Sequence, residues 1–275
     1  RLFMDYFLVL ENILHTSVPK DKIKKFEIFY NNFLNDKYIM KESYVPYTFD
    51  KPSYYTFLEI VKPTQLPPIK NFKSIDGKKY LVHTILHIEY SAIDLALDAA
   101  LRFKEMPKKY YQDWLEVASD EIRHFFILEE LLSELGGVYG DFPVHKNLFE
   151  AMESTPDFLR RMAAVPRYLE ANGLDQNPKI MEKLNSNRDE FNNKFLKALQ
   201  IILDEEVDHV KKGDYWFKYE CKRLNLEPEP TYLQIIEEVF PGSTKRKMDL
   251  NFIARKEAGF SCNELKFLSK KEDCN

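Results

Sequence analysis

Residues 114–132 read WLEVASDEIRHFFILEELL, and residues 195–217 read FLKALQIILDEEVDHVKKGDYWF. In both stretches apolar residues recur three and four positions apart, which is the spacing that lines one face of an α-helix. The two stretches therefore predict two long helices whose apolar faces pack in a core.

Each apolar face is interrupted by a glutamate and, three positions later, by a histidine. The pairs are Glu121 with His124 and Glu206 with His209. A single Glu-x-x-His pair on a helix is usually solvated, so the spacing alone decides nothing. Burying an ionised carboxylate without a partner costs several kcal/mol, so a pair on an apolar face calls for a compensating cation.

Two more glutamates complete the pattern. Glu89 is surrounded on its helix face by Ile85, Leu86 and Ile93, whereas Glu170 lies on a weaker apolar stripe. The order Glu, Glu-x-x-His occurs twice along the chain, which suggests a pseudo-twofold pair of helical hairpins that each supply half of a two-metal site. The predicted metal ligands are Glu89, Glu121, His124, Glu170, Glu206 and His209.

Four long helices are predicted from the periodicity, the prolines and the glycines, and we expect an all-α, ferritin-like four-helix bundle with irregular N- and C-terminal extensions. The helices cover residues 78–104, 107–137, 155–173 and 187–223. A connection over residues 138–154 follows the second helix and contains a short helix over 145–152. Pro166 predicts a kink inside the third helix, and Gly173 predicts its end.

The chain is predicted to have three parts. Residues 1–75, rich in aromatic residues and prolines, form an arm that packs on the bundle, with short helices over 2–14 and 20–34. Residues 76–225 form the bundle. Residues 226–275 form a C-terminal extension, and basic clusters lie at 245–247 and 270–271.

Composition supports a helical protein, because only 8 glycines are present and 31% of the residues are charged. The formal net charge of -4 gives no overall attraction to a polyanion, so binding to nucleic acid would need a local basic patch.

The 3 cysteines form no C-x-x-C pair and do not resemble a secreted disulfide framework, so we expect a reducing, cytoplasmic setting. A membrane span needs about 20 consecutive apolar residues, and no stretch approaches that length. We therefore expect no membrane association.

Three further features have two interpretations each. His83 and His87 lie on a different helix face from Glu89 and either bind a second metal or play supporting or surface roles. Asp120 and Asp208 either orient a ligand histidine or lie on a solvated face. Gly213, on the ligand face of its helix, either leaves space beside the metals or allows close helix packing.

Five stretches resemble the ferritin-like di-iron carboxylate superfamily and, within it, one bacterial family of ferritin-like proteins of unknown function. More distantly, the chain is similar to the non-haem di-iron hydroxylases that modify tRNA. The stretches are HTILHIEYSAIDLA (83–96), ASDEIRH (118–124), LEANGLD (169–175), DEEVDH (204–209) and NFIARKEAGF (251–260).

The resemblance implies two iron ions, with manganese or a mixed Mn/Fe pair as alternatives. It also implies one terminal glutamate, one bridging glutamate and one histidine per metal. The expected function is an O2- or peroxide-activating oxidoreductase, such as a di-iron oxidase or oxygenase, acting on a small molecule or on tRNA. Iron handling or detoxification, and a structural-metal bundle that acts through protein partners, are the alternatives. The oligomeric state is left open, with a dimer as one candidate.

Overall fold

The computed structural model describes residues 4–69, 71–271 and 273–274. Within these residues the protein is mostly helical, and its named strands are the parallel two-residue pair β1 (Met4–Asp5) and β2 (Tyr38–Ile39). The all-α class is therefore confirmed, whereas the four-helix bundle stays a prediction. The chain divides into two compact units, Arg1–Phe149 and Glu150–Asn275.

The first unit is built from four principal helices: α1 (Tyr6–His15), α2 (Pro19–Leu34), α3 (Ile75–Arg102) and α4 (Lys108–Glu134). Short 3-10 turns lie at Ser53–Thr56 and Pro63–Gln65. The first helix, predicted over 2–14, begins at Tyr6, where Asp5 accepts a hydrogen bond from the backbone NH of Phe7 at 3.0 Å. Residues 2 and 3 lie outside the described residues.

The boundaries of α3 and α4 follow local signals in the sequence. Ser74 caps α3 by accepting a hydrogen bond from the backbone NH of Gly77 at 3.1 Å. Pro107 immediately precedes α4, and Gly136 follows its end with a φ of 72°, a left-handed conformation that glycine adopts without strain. The predicted start and stop of this helix are confirmed within a few residues.

Buried polar contacts join the N-terminal helices to α3. The Tyr6 hydroxyl donates to the carbonyl of Ala100 at 3.3 Å. The fully buried Lys22 forms an ion pair with Asp94 and donates to the hydroxyl of Ser53 at 2.7 Å. Burial lowers the pKa of Lys22, and the opposing effect of Asp94 does not cancel this shift.

The second unit is also helical. Helix α5 (Asn147–Glu153) spans the boundary between the units and fits the short helix predicted over 145–152. The elements that follow are α6 (Phe158–Ala164), a π-helical segment (Val165–Glu170), α7 (Ala171–Asn185), α8 (Glu190–Arg223), α9 (Pro228–Val239), α10 (Phe252–Glu257) and α11 (Cys262–Leu268).

The third predicted helix differs most from expectation. The disturbance predicted at Pro166 takes the form of the π-helical segment, since proline lacks the NH that an α-helix requires. The predicted end at Gly173 is wrong, because helical structure continues through Gly173 and Pro178 to Asn185. Burial of Leu174 and Leu184 stabilises the continuation.

Two buried arginines fix the C-terminal segment to this helix. Arg167 donates to Asp214 at 2.7 Å and to Glu264 at 2.9 Å, and Arg255 forms an ion pair with Asp175 at 2.6 Å. Burial opposes ionisation of Arg167, but the charges of Glu264 and Asp214 outweigh it and raise its pKa. Arg255 therefore fixes the stretch 251–260 to α7, and Glu264 of α11 fixes the C-terminal segment to the π-helical segment.

The cysteines differ from the sequence-based expectation. A disulfide joins Cys262 to Cys274, with their Cα atoms 5.8 Å apart, and Cys221 is a buried free thiol. The pair closes a short loop at the C-terminal end, and its spacing matched no motif from which the bond could be predicted.

Gly213 of α8 allows close packing against Pro166. A Cβ atom added at position 213 would clash with Cβ and Cγ of the proline ring. Of the two interpretations of this glycine, helix packing is the one that the structure supports. By contrast, Gly173 of α7 has open space where its side chain would be.

We expect Gly213→Ala to destabilise the protein by about 1–3 kcal/mol, because a rigid proline ring cannot move aside. The matched control is Gly173→Ala, which adds the same methyl group to open space and should stabilise the helix by up to about 1 kcal/mol. Denaturant unfolding of both variants measures the difference. Equal effects from the two substitutions would contradict the packing role of Gly213.

Candidate metal centre

Two helices of the first unit that pack against each other carry three of the predicted ligands. Glu89 lies in the middle of α3, whereas Glu121 and His124 lie on α4, three positions apart and hence on the same side of the helix. All three side chains are buried, and Glu121 and His124 are 0% exposed.

The apolar face of α4 explains why these polar groups are inside. The apolar residues at helical spacing within 114–132 are all buried: Trp114, Val117, Ala118, Phe125, Leu128 and Leu132. Glu121 and His124 share this face, so packing of the apolar side chains carries the two polar groups into the core.

The three side chains converge on one point. Nδ1 of His124 lies 3.0 Å from Oε2 of Glu89 and 3.3 Å from Oε2 of Glu121. One potential ligand atom from each of the three residues lies within 4.8 Å of the others. One imidazole nitrogen thus faces two carboxylates inside the protein.

The electrostatics of this cluster favour a cation. Burial lowers the pKa of His124, but hydrogen bonds and charges from Glu121 and Glu89 outweigh it and raise the pKa to about 11. Two buried carboxylates therefore stabilise positive charge at Nδ1, and a metal ion supplies such charge in place of the proton. Carboxylate oxygens and an imidazole nitrogen suit first-row metals, so this buried cluster could hold a metal ion.

The second unit contains the other three predicted ligands. On α8, Nδ1 of His209 lies 3.6 Å from Oε1 of Glu206, and both residues are buried. Glu170 is the last residue of the π-helical segment and is partly buried. Among the described residues of this unit, the three do not form a close ligand cluster of their own.

His83 and His87 hold a loop against α3. Nε2 of His83 accepts from the backbone NH of Gly140 at 3.0 Å, and Nε2 of His87 donates to the carbonyl of His145 at 2.8 Å. Nδ1 of His87 then accepts from the hydroxyl of Tyr139 at 2.8 Å. Burial lowers the pKa of His83 to about 4 and that of His87 to about 3, so both are neutral at neutral pH. This loop contact was not predicted from the sequence. It favours a supporting role for the two histidines over a second metal site.

Asp120 and Asp208 form pairs on the helix surfaces. Asp120 pairs with Arg123 at 3.0 Å, and Asp208, which is exposed, pairs with Lys212 at 2.5 Å. These contacts favour the solvated-face interpretation over orientation of a ligand histidine.

Sequence comparison identifies the family. The family described as "Protein of unknown function (DUF455)" matches residues 15–266, and the chain belongs to it. An uncharacterized protein from Haemophilus influenzae is 32% identical over 286 residues, which cover 98% of this chain and 96% of the relative. No solved structure matches the chain. The predicted membership of the ferritin-like superfamily stays a prediction.

Within the described residues, no helix combines the length and the apolar character that crossing a bilayer requires. The cytoplasmic setting stays a prediction.

Metal removal should lower the melting temperature, because the carboxylates of Glu89 and Glu121 then lack a metal cation to neutralise them. A ligand that binds only the native state stabilises it by about 4 kcal/mol at 1,000 times its dissociation constant. Calorimetry of chelator-treated protein, with and without added Mn²⁺ or anaerobic Fe²⁺, measures this effect.

The variant Glu121→Ala should lose most of the metal-dependent shift. Glu116→Ala is the control, since it removes an exposed carboxylate from the same helix and should keep the full shift. A wild-type protein whose melting temperature is the same with and without metal would contradict the interpretation of the cluster as a metal site.

Proposed function

We propose that Glu89, Glu121, His124, Glu170, Glu206 and His209 bind two metal ions, preferably iron, within a ferritin-like four-helix bundle. The observation that carries this proposal is the cluster on α3 and α4, in which two buried carboxylates face one imidazole nitrogen. Within this proposal, residues 76–225 form the bundle, flanked by the arm (1–75) and the extension (226–275).

The second half of the ligand set is supported by a local similarity. Glu206 and His209 repeat the spacing of Glu121 and His124, and both pairs are buried on long helices. Nδ1 of His209 lies 3.6 Å from a carboxylate oxygen of Glu206, and Nδ1 of His124 lies 3.3 Å from a carboxylate oxygen of Glu121. A pseudo-twofold centre would use each Glu-x-x-His pair for one metal, with Glu89 and Glu170 as the remaining ligands.

The donor set decides which metal fits. Four carboxylates and two imidazoles suit iron or manganese. Zinc and copper(I) are selected instead by sites rich in thiolates. Held by these residues, a pair of ferrous ions would supply two electrons to O2, and on this basis we propose an O2- or peroxide-activating oxidoreductase. The protein contributes the buried setting and holds the carboxylates on rigid helices, where they neutralise the bound cations.

The substrate class within this proposal is a small molecule or tRNA. The proposal differs from iron handling in the number of iron ions bound per chain. A catalytic centre binds a fixed number of ions, whereas a storage protein continues to take up iron. It differs from a structural metal site in its redox reactivity.

The test is an anaerobic titration with ferrous iron, followed by admission of oxygen. We expect saturation near two irons per chain, rapid oxidation that consumes oxygen, and no further iron uptake. Absorption spectra and oxygen consumption report the reaction. The variant His124→Ala should bind less iron and lose rapid oxidation, whereas Glu116→Ala should behave like the wild type.

Two outcomes would overturn the oxidoreductase proposal. Continued uptake of many irons per chain would indicate iron storage. Stable binding without any oxidation would indicate a structural metal.

A further inference from the structure

Two basic clusters that are far apart in the sequence become neighbours in the second unit. The backbone NH of Met248 donates to the carbonyl of Leu268 at 2.9 Å, and the NH of Lys270 donates to the carbonyl of Met248 at 3.0 Å. Met248 follows the cluster at 245–247, and Lys270 belongs to the cluster at 270–271. This short parallel bridge therefore joins the two clusters into one positive surface.

A cavity of about 460 Å³ opens at this surface, within the range typical of small-molecule sites. The cationic side chains that line it are Lys179, Arg246, Lys247 and Lys270. A neighbouring cavity is lined by Lys266 and Lys271 as well as by Lys247 and Lys270, so the positive surface extends beyond the first cavity.

The acidic residues of the cavity do not cancel this charge. Asp175 is buried, and Arg255 already binds both of its carboxylate oxygens, at 2.6 to 3.2 Å. Asp249 is the other acidic residue of the lining. Arg246 and Lys270 are exposed, so their charged groups are accessible to a ligand. Clustered Lys and Arg side chains of this kind bind phosphate groups.

The cavity lining also includes an aromatic ring and two amide side chains. Tyr168 is half-buried and stacks on Phe240, with ring centroids 4.8 Å apart and planes inclined by 23°. Asn172 and Gln176 lie one helical turn apart on α7 and line the same cavity. An aromatic ring with neighbouring amide groups suits a flat, hydrogen-bonding heterocycle such as a nucleobase.

We propose that this cavity binds a nucleotide. Arg246, Lys270 and the neighbouring lysines bind its phosphate, while Tyr168 and Gln176 contact its base. The nucleotide is either free or the terminal residue of an RNA strand, since both present the same phosphate and base. The site lies within the second unit and does not depend on the metal centre.

Calorimetric titration at low salt tests the proposal with four probes: adenosine 5′-monophosphate, adenosine, inorganic phosphate and a short 5′-phosphorylated single-stranded RNA. We expect the mononucleotide to bind more tightly than either adenosine or phosphate, with an affinity that falls as salt increases. RNA that binds more tightly and is displaced by the mononucleotide would identify an RNA terminus as the source. Equal affinities for RNA and the mononucleotide would identify the free nucleotide.

Charge reversal in Arg246→Glu/Lys270→Glu should weaken mononucleotide binding by about tenfold or more. The control Lys197→Glu/Lys222→Glu makes the same change in net charge at exposed positions of α8 and should have little effect. Gln176→Ala should weaken binding of the mononucleotide but not of phosphate. Circular dichroism confirms that each variant is folded.

Three results would overturn the proposal. The first is the absence of mononucleotide binding at low salt. The second is an equal loss of affinity in both charge-reversal variants, which would show non-specific electrostatic attraction. The third is equal affinity for phosphate and mononucleotide, which would exclude recognition of the base.

Discussion

A buried carboxylate needs a compensating positive charge, and this constraint organises much of the structure. The partly buried Asp94 is paired with Lys22, and the buried Asp175 is paired with Arg255. Arg167 binds two further buried carboxylates and lies against three aromatic rings, the nearest being Tyr232, whose centroid is 4.2 Å from the guanidinium carbon. Since removing one partner of a buried pair costs about 3–5 kcal/mol, these pairs fix the N-terminal helices and the C-terminal segment to the helices that carry the candidate ligands.

The cluster on α3 and α4 meets the same constraint in a different way. The partner of Glu89 and Glu121 is the imidazole of His124 rather than a guanidinium or an ammonium group. An imidazole is a neutral metal ligand once it loses its proton, whereas a guanidinium never acts as one. A pair of carboxylates facing an imidazole therefore differs from the ion pairs of Lys22, Arg167 and Arg255, and this difference is why we propose a metal ion there.

The features that were predictable from the sequence are those with a local cause. The apolar periodicity around Glu121 predicted a buried helix face, and Pro107 and Gly136 marked the limits of α4. The continuation of α7 beyond Gly173 was not predictable, because residues there contact distant parts of the chain, as Asp175 does with Arg255. The same reason applies to the loop held by His83 and His87, to the disulfide, and to the junction of the two basic clusters. Each of these features joins residues that are distant in the sequence, and helical periodicity does not indicate which distant residues are close in space.

The most direct test of the central claim is the metal content of the protein, purified without a metal-affinity tag from cells supplied with iron. Mass spectrometric elemental analysis should find about two first-row metal ions per chain, mainly iron, and a large loss of metal in a Glu89→Ala variant. Protein that is folded and free of bound metal, or whose metal content is unchanged by that substitution, would contradict the account.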